Sequence, residues 1–584
     1  MPREGSVGPR ERVNIVYRSV VGGVEQDIEL PFKILVLGDF SRRGDDVPVE
    51  DLRPARVEKN NFDQVLEKCN PVLNIRVKNH FGGDPEDRLP LKINIRRLGD
   101  FEPDALVSSI PELRLALDRK KGVLGLRPAL ETAPAPRSLL ALLLQTDAPP
   151  EKIDRRFIDV LAADLDWKLG RQLDEILHHP DFQGLERAWR GLKFLVDRVD
   201  FRENIILEIL DLPKNKLLED FADSLNILQS GFHKLVYTAE YGQFGGSPHA
   251  VIVADYFFDH SPRDIKLLQD MAAVGAMSHA PVIANASPEF FGSADFSDLP
   301  NLKDPAGHFA SRQFARWQSL RESEDSRYLG LTLPRFLLRK PYSAEDTTTS
   351  GYYHEEDVRG RRESHLWGGA ALALASRLAD SFARYRWRPN IIGPKGGGLV
   401  EGLIFPDFES LPGIEHKIPT EVFISERLEF DLAQEGFIAL TLRNGSDQAC
   451  FFSANSVQRP KKFGPGKEAA AAEFNYRLGT QLQYLMLINR LAHYLKVMQR
   501  ERVGAWRERA DLEEELNRWL RQYVSDMDDP SPGVKSRRPL RQARVTVEDG
   551  EHPGWYKARI LARPHLKYMG LHFTLALDGK MEKQ

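Results

Sequence analysis

The sequence predicts a mixed α/β (α+β) protein of several structural units, on three observations. Short apolar runs at Ile205–Leu210, Ala250–Ala254 and Val282–Ala284 alternate with helical stretches such as Pro262–Met277, the pattern of an α/β core. Ile153, Phe157, Leu161, Leu165, Leu169, Leu173 and Leu177, supplemented by Val160, Trp167 and Ile176, form the packing stripe of one long amphipathic helix. Both ends of the chain read as β-structure.

Taken in order, a polar, proline-containing arm leads into Val13–Tyr17, a β-branched and aromatic run read as a strand. Strand geometry puts Val13, Ile15 and Tyr17 on one face and Asn14 and Val16 on the other. Gly22-Gly23 is a turn and flexible connector, after which Glu25–Leu30 and Phe32–Leu37 read as extended around Pro31. A helix over Asn61–Lys68, capped by Asn60 or Asn61, precedes half-buried strands at Val72–Val77 and Leu91–Ile95. Pro103 and Pro111 open helices that run through Val107 and Lys121. Residues 1–126 make the first region. Over residues 127–152, Pro128, Pro134, Pro136, Pro149 and Pro150 bracket the leucine-rich Ser138–Leu144, which reads as a linker carrying one short helix.

Residues 153–584 are the third region. Its long helix stops at His178-His179-Pro180, because proline disfavours helix in the residue before it. Further helices are expected at Phe182–Val196, His365–Arg384, Phe474–Arg500 and Arg507–Tyr523. The Phe474–Arg500 helix would be about 40 Å long at 1.5 Å per residue. Ala543–Val547, Trp555–Leu561 and Leu571–Leu577 close the chain as strands.

Composition narrows the function. At 584 residues, a prior of roughly 150 residues per domain gives about four domains. Lys+Arg at 81 and Asp+Glu at 85 leave a net charge of −4, which argues against a nucleic-acid binder held by phosphate contacts. Cys69 and Cys450 stand apart from any CxxC, which suits a reducing cytoplasm and excludes a disulfide framework. The N-terminus lacks a signal-peptide core, and the runs Leu139–Leu144 and Ala370–Ala375 fall short of the ~18 apolar residues a membrane span needs.

No catalytic constellation emerges. Gly396–Gly402 lacks the Lys-Ser/Thr pair of a phosphate loop, and Gly464-Pro465-Gly466-Lys467 is followed by Glu468, so both read as tight turns. Adjacent His178 and His179 point about 100° apart on a helix and chelate poorly. His354-Glu355-Glu356-Asp357 reads as a solvated loop, and the carboxylates of Glu322–Arg327 as ion-pair partners of Arg321 and Arg327. The expectation is a structural protein without catalytic residues, cofactor or metal.

Two sets of motifs carry a family resemblance. EGSV (Glu4–Val7), PRERVNI (Pro9–Ile15), ELPFKILVLGDF (Glu29–Phe40), KNNFDQVL (Lys59–Leu66) and LGDFEPDAL (Leu98–Leu106) resemble the small subunit of the type VI secretion contractile sheath, TssB or VipA. QLDEILHHPDFQGLERAWRGL (Gln172–Leu192), YGQFGG (Tyr241–Gly246), SHAPVIANASPEFFG (Ser278–Gly292), ESEDSRYLGLTLPRFLLR (Glu322–Arg339), GGGLVEGL (Gly396–Leu403), FFSANSVQRPKKF (Phe451–Phe463) and QLQYLMLINRLAHYLK (Gln481–Lys496) resemble the large subunit, TssC or VipB.

The resemblance implies a tail-sheath-like fold with terminal strands exchanged between protomers. The candidate exchange residues are Val13, Asn14, Ile15, Val16, Tyr17, Leu571, Phe573 and Leu575, with Gly22 and Gly23 as the connector. It implies a cytoplasmic polymer of six-fold rings, assembled on a baseplate at the inner membrane, that contracts to drive an inner tube into a target cell. The implied partners are further copies of the chain, an Hcp-like tube protein, baseplate components and a ClpV-type AAA+ ATPase. Leu139, Leu140, Leu143 and Leu144, within Ser138–Thr146, resemble a remnant of the helix that such an ATPase contacts; the other reading is that they cover a local apolar patch. The alternative is the sheath of an extracellular, phage-like injection particle. The sequence departs from the family at the joint, where residues 125–152 replace the small-subunit tail and the large-subunit N-terminal helix.

Overall fold

The computed structural model describes residues 15–21, 24–42, 47–82, 84, 86–125, 155–243, 245–343, 349, 351–359, 361–386, 390–405, 418–442, 448–501, 509–527, 534, 538–549, 555–565, 567–568, 571–572 and 575–582. Val13, Asn14, Gly22, Gly23, Leu139, Leu140, Leu143, Leu144 and Phe573 lie outside these residues.

β1 (Tyr17–Val21) and β2 (Val24–Ile28) form an antiparallel ribbon, with Tyr17 opposite Ile28 and Val21 opposite Val24. β3 (Phe32–Gly38) follows, buried along its whole length, then the short β4 (Ala55–Arg56). α1 (Phe62–Cys69) buries Phe62, Val65 and Leu66 and ends at Asn70 in the left-handed conformation, whose N–H returns to the Leu66 and Glu67 carbonyls. β5 (Val72–Lys78) and β6 (Arg88–Asn94) pair antiparallel and bury Leu73, Ile75, Val77, Leu91 and Ile93 on one face. α2 (Pro103–Ser109) and α3 (Pro111–Gly125) each begin on proline, whose missing N–H costs nothing at a helix start. α4 (Arg155–Leu177) carries the long stripe, and α5 (Pro180–Arg198) is capped by His179, whose Nδ1 accepts from the Asp181 N–H.

The central sheet has nine strands in the order β13-β15-β14-β10-β9-β8-β3-β7-β4. These are β7 (Ile205–Asp211), β8 (His249–Phe258), β9 (Val282–Ala286), β10 (Leu329–Leu333), β13 (Leu399–Val400), β14 (Phe437–Leu442) and β15 (Ala449–Phe451) with β3 and β4. The inner strands are parallel and the outer pairs antiparallel. A parallel sheet must be covered on both faces, which is why its strands read as unbroken apolar runs. β3 divides its residues accordingly: Ile34 and Val36 enter the core with Trp189, Leu372 and Leu491, while Leu35 and Leu37 enter the core with Met271, Phe290 and Trp317.

That position of β3 decides how the two halves of the chain relate. It pairs with β7 on one side and β8 on the other, so a strand from residues 1–126 is an inner strand of a sheet built, apart from the edge strand β4, from later residues. Trp189 of α5 reinforces the join, donating Nε1–H to the Phe40 carbonyl at 2.9 Å and meeting Phe40 and Phe62 edge-on.

α6 (Lys214–Asp223), α7 (Pro262–Ser278), α8 (Ala370–Tyr385) and α9 (Glu426–Gln434) connect or flank these strands. α8 starts later than the sequence suggests, because Trp367-Gly368 (β12) pairs with Phe336-Leu337 (β11) and Gly369 becomes the N-cap. The single helix expected over Phe474–Arg500 is two, α10 (Lys467–Gly479) and α11 (Leu482–Arg500). The chain is drawn aside at the break: the Thr480 carbonyl accepts from Ser456 N–H and Leu482 N–H donates to Ala454 O, which a continuous helix would forbid. α12 (Arg509–Arg521) precedes β16 (Leu540–Asp549) and β17 (Trp555–Pro564). The last expected strand is also divided, into β19 (Leu571–His572), paired with β18 (Lys567–Tyr568), and β20 (Leu575–Glu582).

The glycine run is a turn against the sheet edge. Gly398 N–H donates to Gly393 O, and Gly398 O accepts from Phe451 N–H. A Cβ on Gly398 would lie 2.4 Å from the Phe451 carbonyl and 2.8 Å from Gly393 N, both backbone atoms. Gly398→Ala is therefore expected to destabilise the fold by about 1–3 kcal/mol, read as a lower Tm, through displacement of β13.

The acidic loop reading of residues 354–357 is corrected for two of its members. His354 and Glu356 are buried, His354 beside Asp174 at 3.1 Å and Glu356 in a fork with Arg339 at 2.7 and 3.1 Å. Arg339 also donates to Glu186 at 3.0 Å, which Arg190 engages at 2.6 Å as well, so the Arg339 guanidinium bridges two buried carboxylates. Burial alone would raise the Glu356 carboxyl, but Arg339 and the hydrogen bond to His178 outweigh it and hold it at about 2.

Candidate assembly interface

Two β-structures, one near each end of the chain, hold the described residues that the resemblance marks for strand exchange. Residues 15–17 lie in an aromatic seat formed by α11, α12 and the residues that follow each. Ile15 and Tyr17 are 2% and 4% exposed, while Val16 between them is half-buried. The Tyr494 hydroxyl donates to the Ile15 carbonyl at 2.5 Å and accepts from the Leu30 N–H at 2.9 Å. Both backbone groups of Val16 are held: Trp519 Nε1–H and the Tyr523 hydroxyl donate to its carbonyl, and its N–H donates to Tyr523 at 3.0 Å. Tyr17 donates to Glu501 at 2.6 Å, and burial followed by that carboxylate pushes its hydroxyl pKa up. The rings of Tyr17, Tyr494, Trp519 and Tyr523 form a chain with successive centroids 6.1, 5.8 and 5.3 Å apart. Arg490 completes the seat by donating to the Leu30 and Pro31 carbonyls just before β3.

Beyond the seat, β1 pairs only with β2 among the described residues, and Arg18, Glu25, Gln26 and Asp27 are exposed. An isolated two-stranded ribbon is marginal in water.

The C-terminal sheet has the order β16-β17-β20, each pair antiparallel. Its two edges differ. On β16, Asn517 of α12 imitates a strand residue: its side-chain amide accepts from Val545 N–H at 2.9 Å and donates to Val545 O at 2.7 Å. Glu513 accepts from Val547 N–H at 3.0 Å. The far side of β20 carries no strand among the described residues.

Of the sequence-derived candidates, Ile15, Val16 and Tyr17 are brought to the seat, with the strand itself beginning at Tyr17. Leu571 falls in β19 and Leu575 opens β20. Sequence reasoning missed Tyr494, Trp519, Tyr523, Arg490 and Asn517. Trp519 and Tyr523 at an i,i+4 spacing, and an arginine inside an apolar helical stripe, were the available signals.

Elsewhere the chemistry is already satisfied. Glu208, Glu240 and His249 bring ligand atoms within 4.8 Å of one another. The Lys33 ammonium occupies that position, 3.2 Å from Glu208 and 2.6 Å from Glu240, so a cation is supplied from within. His178 pairs with Glu356 at 3.1 Å. Glu324 is engaged by Arg327 and Lys461, and Arg321 by Glu435. Among the described residues, no helix is long and apolar enough to cross a membrane.

Residues 5–157 match the type VI secretion system VipA family model. Residues 159–458 match the EvpB/VipB tail sheath N-terminal domain, and residues 471–581 the EvpB/VipB tail sheath gpW/gp25-like domain. The type VI secretion system sheath protein TssC1 of Pseudomonas aeruginosa is 38% identical over 464 residues, which is 78% of this chain and 91% of that protein. A chain of the VipA-N2/VipB contracted sheath of a type VI secretion system is 38% identical over 23% of this chain and 100% of its own length, with a TM-score of 0.16. A chain of the anti-feeding prophage baseplate is 9% identical over 68% of this chain and 78% of its own, with a TM-score of 0.32.

Proposed function

Because the chain belongs to the type VI secretion system contractile-sheath family, with its VipA and VipB parts joined in one polypeptide, we propose that its copies are linked into a sheath by exchange of their terminal strands. It is a structural sheath subunit of the TssB/TssC kind, a non-enzymatic family. A sheath needs a heterologous contact that does not close on itself, which generates an open helical filament. It also needs a link that survives contraction. Strand addition supplies one, because backbone hydrogen bonds are independent of side-chain register.

The observation that supports this reading is the asymmetry of the C-terminal sheet. Asn517 and Glu513 close the β16 edge, while β20, which lies beside α10 and α11, pairs with no second strand among the described residues. Unprotected edges are templates for pairing with another chain. The donor in this reading is the arm through β1, residues 12–20. Its pairing with β2 is only a marginal ribbon and costs little to leave, whereas the seat's hydrogen bonds to Ile15 and Val16 must be kept or replaced by the new pairing, and Gly22-Gly23 lets the strand turn toward a neighbour. Leu571, Phe573 and Leu575 belong to the receiving end. The polymer surrounds an Hcp-like inner tube on baseplate components in the cytoplasm, and the short leucine run at the joint recruits a ClpV-type ATPase at most weakly, since helices this short are marginal alone.

Negative-stain microscopy of the purified chain tests this function. Tubules with cogwheel-shaped ends are expected. Monodisperse particles of single-chain mass at high concentration would overturn the reading.

A further inference from the structure

The outward face of the β5–β6 ribbon is basic without counter-charge. Alternation places Asn74, Arg76 and Lys78 of β5 and Arg88, Pro90, Lys92 and Asn94 of β6 on the face opposite the buried Leu73, Ile75, Val77, Leu91 and Ile93. The register sets Lys78 directly opposite Arg88, with Lys92 opposite Asn74 and Arg76 opposite Pro90. Like charges placed directly across a strand pair repel, and no carboxylate sits among them on that face.

The nearby acids are otherwise engaged or beyond the ribbon's end. Asp174 holds His354, Glu175 holds His80 and Asp357 holds Arg171. Asp84, Glu86 and Asp87 lie in the hairpin turn, where Asp87 accepts from Asn79 and Asp84 from the Glu86 N–H. A cavity of about 260 Å³ opens beside the ribbon, lined by Arg76, Lys78 and Arg88 on the ribbon's side and by the engaged Asp174, Glu175 and Asp357 on the other.

We propose that this face is a docking surface for carboxylates of a second copy of the chain. Charge balance favours a copy of itself over a foreign polyanion. The whole chain has 81 Lys+Arg against 85 Asp+Glu, so without these four cations the rest of the chain has 77 cations against 85 carboxylates, eight more carboxylates than cations. Each copy therefore offers one concentrated basic face and an acidic remainder, which is complementary head to tail and repulsive face to face. Contacts of this kind fix register between subunits and weaken with salt. The inference rests on the sheath reading above, since it requires copies to meet in an assembly.

The test mixes unlabelled and nitrogen-15-labelled full-length protein, pellets the assembled material and treats it with a carbodiimide, which joins lysine to carboxylate at zero length. Mixed-isotope crosslinks from Lys78 or Lys92 to an Asp or Glu are expected. The triple variant Arg76→Glu, Lys78→Glu, Arg88→Glu, shown folded by circular dichroism, is expected to need at least tenfold more protein to assemble. Normal assembly by that variant together with crosslinks confined to single copies would overturn the docking surface and leave the sheath reading intact. Loss of binding to single-stranded RNA by the variant, with assembly unchanged, would also overturn it and assign the face to nucleic acid. If the wild-type chain forms no assembly at any concentration, the sheath reading fails and this inference fails with it.

Discussion

Deletion of residues 1–20 is expected to abolish tubules while leaving a folded protomer with a lowered Tm. The nine-stranded sheet begins at β3 and owes nothing to this segment, so the far-ultraviolet circular dichroism spectrum should keep its shape. The Tm falls because Ile15 and Tyr17 leave a buried site and the Tyr494 and Tyr523 hydroxyls and the Trp519 N–H lose backbone partners. Each lost hydrogen bond costs about 0.5–1.5 kcal/mol net. Assembly suffers far more, because in this account the backbone linkage between protomers passes through the deleted strand. Tubules of normal length from the deletion would remove strand exchange as the linkage.

Replacing Arg339 by methionine is expected to cause the largest loss of stability of any single substitution in the chain. Arg339→Met leaves the Glu356 side chain, 0% exposed, without its guanidinium partner, and takes one of two guanidinium partners from the equally buried Glu186, which keeps Arg190 at 2.6 Å. Breaking a buried pair from one side costs about 3–5 kcal/mol. Arg339→Lys should recover only part, since an ammonium cannot form the fork with Glu356 while also reaching Glu186. The pH dependence separates charge from packing. With its carboxyl held at about 2 against an ordinary 4.5, Glu356 contributes stability that is present above pH 4.5 and lost as pH falls toward 2. Arg339→Met should lack that contribution, so its deficit relative to wild type, measured by chemical denaturation, should shrink on acidification. A deficit that stays constant from pH 7 to pH 3 would show that shape rather than charge is responsible.

Local periodicity carried most of the architecture. The stripe from Ile153 to Leu177 is α4, and the β-branched runs at 205, 250 and 282 are inner strands of the parallel sheet. What failed was set by partners distant in sequence. The break between α10 and α11 arises where residues 454 and 456 take the hydrogen bonds of residues 480 and 482, and nothing in Phe474–Arg500 itself announces it. The burial of Glu356 depends on Arg339, and the position of β3 between β7 and β8 depends on strands more than a hundred residues away. At the interface, alternation identified Ile15 and Tyr17 as sharing a face. The seat that receives them could not be read, because Tyr494 and Trp519 lie on helices whose apolar stripes look like any other core, and Tyr523 lies just past the second of them.

The central claim is that neighbouring copies are joined by a strand crossing from one chain to the next, and a density map of the assembled tubule by electron cryomicroscopy tests it most directly. The account predicts that residues 12–20 of one copy continue as backbone-paired strand on the C-terminal sheet of another. A tubule in which residues 17–21 remain paired with residues 24–28 of their own chain, with no backbone pairing between copies, would contradict it.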